Sequence, residues 1–156
     1  MGKSKMISVD GYETHMQVNF LSPALLSLLI LPSLKVGAPS RIVNVNSLMH
    51  GIGFVDLRDL NFDKGVFCMR VCIMRYGSIV RTEKMKEEEW PVCAYVACDC
   101  KMMIPSKEAQ NMEVSRSVWK MTLEMIGVPN DVVDLVLADE EIHCRYLNTM
   151  VKGKYT

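Results

Sequence analysis

The stretch DGYETHMQVNFLSPALLSLLILPSLKVGAPSRIVNVNS, Asp10 to Ser47, decides what kind of fold this chain has. Met16, Phe20, Ala24 and Leu28 recur at i+4, with Leu21, Leu25 and Leu29 beside them. That spacing predicts a long helix with a wide apolar face. Asp10 is placed to cap it, and Glu13, three residues on, stands where a capping box wants a carboxylate. Pro32 and Gly37 are expected to end it, and Lys35 to Arg41 reads as a turn. Ile42 to Val45 then reads as a short buried strand that delivers Ser47 to a loop marked by Gly51 and Gly53. Helix, short turn and buried strand are half of a βαβ unit, so an α/β fold is expected.

Pro23 falls inside the helix. A proline has no N–H and collides with the carbonyl four residues back, which here belongs to Asn19. The helix is therefore expected to kink, leaving the Asn19 carbonyl open to another donor, most simply a water.

The remainder is less regular. Lys64 to Lys86 hold six basic residues and one acidic residue and fit neither the helical nor the strand period. Such a stretch is more often a solvated surface than a nucleic-acid site. Val92 to Ala97 is the best further strand candidate. A helical region is expected from Pro105-Ser106, with an apolar stripe of Val118, Trp119, Thr122, Leu123, Met125 and Ile126 stopped by Gly127 and Pro129. Asn130 or Asp131 caps a short helix, Val132 to Leu137, and Val151 to Thr156 should fray.

With 156 residues the chain is of single-domain size, and 49% hydrophobic with 23% charged residues it is globular in composition. The formal net charge is zero, which gives no electrostatic reason for a nucleic-acid partner. The longest apolar run, Phe20 to Leu34, contains two prolines and is shorter than the ~20 residues of a membrane span, so none is expected. Six cysteines without a signal peptide point to a reduced intracellular compartment, the cytoplasm by default. Cys93, Cys98 and Cys100 with His143 and Cys144 lack the spacing of a zinc knuckle, and His50 has no identified partner, so neither a metal site nor a histidine base is expected.

The Asp10 to Asp63 stretch resembles the middle of the short-chain dehydrogenase/reductase family. It is most similar to the retinol-dehydrogenase-like branch and, within it, to the plant "forever young" type oxidoreductases. A helix carrying Val18-Asn19, followed by Pro39-Ser-Arg-Ile-Val-Asn-Val45 ending in Ser47, carries the resemblance. Glu89 to Tyr146, above all EAQNMEVSRSVWKMTLEMIG from Glu108 to Gly127, is similar to the C-terminal part of the same proteins, whereas Lys64 to Glu88 matches nothing in them. The resemblance implies a partial, doubly wound Rossmann-like domain over residues 1–156. It would comprise a central segment 10–63, a divergent insert 64–88 and a helical C-terminal segment 89–146.

It also implies exchange of hydride between a small carbonyl or alcohol and NAD or NADP. In that family a Ser holds the substrate oxygen, a Tyr is the acid or base, a Lys lowers the Tyr pKa, and an Asn at a helix kink holds a water. By position Ser47 matches the Ser and Asn19 the Asn. The Tyr-x-x-x-Lys pair is absent: the residues four after Tyr12, Tyr76, Tyr95 and Tyr146 are Met16, Val80, Asp99 and Met150, and Tyr155 has none. The family's Thr-Gly-x-x-x-Gly-x-Gly cofactor loop and its Asn-Asn-Ala-Gly strand are absent too. The expectation is a domain without its dinucleotide-binding half, with Ser47 and Asn19 vestigial, no cofactor bound, and no activity alone. The alternative is a non-catalytic protein that pairs with a copy of itself or a full-length relative through the 10–34 helix.

Overall fold

The computed structural model describes residues 5–44, 55–63, 104–105, 107, 109–140, 142 and 144–146. A continuous helix, Thr14–Val36, forms its spine. It divides into α1 (Thr14–Met16), a π-helical turn (Gln17–Leu21) and α2 (Ser22–Val36). The widening sits where Pro23 interrupts the ladder: the N–H of Ser22 reaches past Val18 to the carbonyl of Gln17. The expected disturbance is present, as a π turn.

Both ends of this helix correct the expectation. The N-cap is Glu13, not Asp10: the Glu13 carboxylate accepts from the N–H of Met16 at 2.9 Å. Residues 7–13 fold back instead, closing an Ile7–Glu13 bridge, so Asp10 lies in the turn before the cap. Pro32 does not stop the helix. It lies within α2, and Gly37 is the cap residue, its N–H bonded to the carbonyl of Ser33. The hydroxyl of Ser40 donates to the carbonyl of Leu34 at 2.6 Å, satisfying an end group that Pro32 alone would not have ended the helix to expose. At 23 residues the helix is longer than the apolar run suggested, long and apolar enough by composition to cross a bilayer, a property that buried core helices share.

α3 (Met112–Ile126) begins later than expected. Lys107, Ala109 and Gln110 are in turns, and the Asn111 side chain takes the N–H groups of Glu113 and Val114 at 3.1 and 3.2 Å. α4 (Val132–Leu137) has the predicted bounds, with Asp131 at its N-cap. The two are joined by Gly127 and Val128. Gly127 has φ +73°, its N–H bonds to Glu124, and the N–H of Val128 bonds to Leu123, the paired arrangement that closes a helix through a left-handed residue.

The core forms where these helices meet. Met16, Phe20, Leu28 and Leu31 of the long helix pack with Val118, Leu123 and Ile126 of α3, with Val132 and Val136 of α4, and with Leu60, Phe62, Val128 and Ile142. Thr122 is fully buried and satisfies its hydroxyl on the Val118 carbonyl at 2.7 Å. Residues 55–63 are fastened to the start of the helix: Asn61 accepts from the N–H of Glu13 at 2.9 Å, and Lys5 pairs with Asp63 at 2.8 Å.

The sheet half of the expected α/β fold is not seen among the described residues, which hold no β-strand. Ile42 to Asn44 are not in a strand, and Val43 is exposed. A strand is defined by a ladder of hydrogen bonds to a neighbouring strand, and these residues are in none. Val45, Ser47, residues 64–88, the Val92–Ala97 candidate and Val151–Thr156 lie outside the described residues.

Among the described glycines, Gly127 leaves the least room for a side chain. A Cβ there would sit 2.9 Å from the Cβ of Arg145, on a backbone already at positive φ. We expect Gly127→Ala to destabilise the fold by about 1–3 kcal/mol, read as a lowered urea midpoint at unchanged slope. An unchanged midpoint would show that this turn does not bear on stability.

Candidate functional site

Asn19 lies in the middle of the π turn and is exposed. Its carbonyl has no α-helical donor, because residue 23 is proline, and the α-type donor of Val18, Ser22, is engaged by Gln17. Pro23 thus withholds the α-type donor from the carbonyl of the residue that the sequence singled out. Ser47, Cys93, Cys98, Cys100, His50 and His143 lie outside the described residues, and the structure says nothing of their approach to Asn19. Cys144 is half-buried, and among the described residues no three His, Cys, Asp or Glu side chains converge on a point that would hold a metal.

The residues around the start of the helix were only partly foreseen. The Glu13 carboxylate is fully buried, yet it is held by Nδ1 of His15 at 2.9 Å and by the N–H of Met16. Burial pushes this carboxyl up, but the hydrogen bonds and charge supplied by His15, with the backbone N–H groups, outweigh it, and the net is a pKa below the ordinary value of 4.5. Tyr12 stands beside it. Its hydroxyl donates to the carbonyl of Met125 at 2.6 Å and accepts from Arg145 at 2.8 Å, while the guanidinium lies 5.8 Å from the ring centre. This clamp ties the N-terminal turn to the end of α3. The usable sequence signal was Glu13 three residues before Met16, the first buried residue of the helix; the Tyr12–Arg145 pairing, 133 positions apart, left no trace in local pattern.

A dinucleotide needs a helix N-terminus with free N–H groups for its pyrophosphate. Two of the described helix starts are already engaged by side chains. The start of α1 is already occupied by the Glu13 carboxylate, and the start of α3 is capped by Asn111 with Glu113 in its first turn. Added negative charge at either place meets a carboxylate.

No family model matches the chain, and no solved structure matches it. Curated proteins do. The chain is 34% identical over 219 residues to the dehydrogenase/reductase SDR family member FEY of Arabidopsis thaliana, a match that covers 94% of this chain and 58% of that protein. It is 47% identical over 79 residues to human retinol dehydrogenase 11, covering 50% of this chain and 25% of that protein. It is 49% identical over 57 residues to human retinol dehydrogenase 12, covering 36% of this chain and 18% of that protein. The chain thus spans just over half the length of the first of these relatives and a quarter or less of the other two. The first match also runs over more positions than the chain contains: 219 minus 156 leaves at least 63 positions of that relative facing no residue here.

The buried carboxylate gives a pH dependence of defined sign. Because the folded pKa of Glu13 is depressed, its contribution is complete above the unfolded value near 4.5 and is lost as pH falls through the lower folded value. Glu13→Gln is expected to cost about 0.5–2 kcal/mol at neutral pH, the scale of a lost cap, and to flatten the acid limb of stability against pH. Urea melts between neutral and acid pH check this. An acid limb as steep in the variant as in the parent would remove Glu13 from the account.

Proposed function

The chain belongs to the short-chain dehydrogenase/reductase family, and from that membership we propose that it descends from an NAD(P)-dependent oxidoreductase acting on a small carbonyl or alcohol but does not complete that reaction alone. The observation that carries this reading is the missing acid. Reduction of a carbonyl leaves an alkoxide that must be protonated as it forms, and a positioned hydroxyl of lowered pKa is the family's means. No tyrosine in this chain has a lysine four residues after it. The gap of at least 63 positions against the plant relative supports a missing internal segment, independent of where the chain begins or ends.

In this reading NAD(P), the cofactor general to the family, supplies or accepts the hydride when bound. This chain's part is to hold the substrate oxygen through the hydroxyl of Ser47 and to anchor a water at the acceptors of the π turn around Asn19. Neither role moves the proton.

A second reading rests on the surface of the long helix. Val18 is 60% exposed, Leu26 56% and Val36 67%, which leaves an apolar face along it. That face favours a non-catalytic protein that pairs with another copy or a full-length relative. Sedimentation of the chain alone and mixed with such a relative distinguishes the two. A monomer that leaves the relative's sedimentation unchanged excludes pairing.

The oxidoreductase reading has a direct test. Calorimetric titration with NADPH or NADH is expected to show no saturable micromolar binding. A chimera that supplies a relative's cofactor-binding half, and its Tyr-x-x-x-Lys helix in place of residues 64–88, is expected to reduce a model ketone. Within that chimera Ser47→Ala should lower turnover by roughly 10²–10³-fold, the scale of one positioned hydrogen bond to a developing oxyanion. Turnover by the unaltered chain would overturn the reading, and an active chimera indifferent to Ser47→Ala would overturn the role given to that serine.

A further inference from the structure

We draw no further inference here: the strongest candidate, the half-open cavity lined by Leu21, Leu25, Leu29 and Ile126 between the long helix and the end of α3, carries none, because the orphaned oxygen of Gln17 beside it is itself buried out of a ligand's reach and nothing in the structure shows what covers its apolar wall.

Discussion

Pro23 has no N–H to give, and the geometry of the long helix follows from that deficit. In an ideal helix each residue advances about 100°, so an i+4 step overshoots one turn by about 40°. Met16, Phe20, Ala24 and Leu28 make three such steps, a drift of about 120°, enough to carry the last residue off the face that buries the first. All four are nonetheless buried. The π turn at Gln17–Leu21 takes more residues per turn and absorbs the drift, so that a straight apolar line meets α3 and α4. The proline and the spacing state the same requirement. Pro23 leaves the α ladder without a donor where the apolar repeat needs the helix to widen.

The ends of the structure hold this line in place. Glu13 is capped into α1, pairs with His15, and gives its own N–H to Asn61. One residue thus fixes the start of the helix and the segment 55–63 that brings Leu60 and Phe62 to the core. At the other end the amine of Lys35 donates to the carbonyl of Leu137 at 2.6 Å and lies 3.3 Å from Asp139, joining the last turn of α2 to the end of α4. The exposed Lys35–Asp139 pair contributes little by itself; bonding an otherwise orphaned helix carbonyl is the firmer part of that contact.

What could be read in the sequence follows the range of the interactions. The long helix, the disturbance at Pro23, the stripe on α3, the stop at Gly127 and the bounds of α4 are set within one or two turns and were legible. The cap was misplaced by three residues because Asp10 and Glu13 both suit it, and the choice is made by the Ile7–Glu13 bridge, which turns Asp10 aside. Pro32 was overread as a stop, because a lost hydrogen bond ends a helix only where packing does not continue it, and Leu31 is buried. The strand at Ile42 was inferred from apolar character alone, although strands exist only with partners. Near the candidate site, only the disturbance of the helix around Asn19 was legible, through proline sterics. The Tyr12–Arg145 clamp and the orphaned Gln17 oxygen were not, since each depends on which distant segment packs beside it.

The long helix also carries more apolar surface than its described neighbours use. One side meets α3, α4 and residues 55–63, while Val18, Leu26 and Val36 face outward. A helix on the surface of a domain is normally polar on its free side, and one apolar all round is suited to burial on both. Pro23 acts on a shorter range: it withholds an α-type donor from the Asn19 carbonyl whatever segment lies beside the helix.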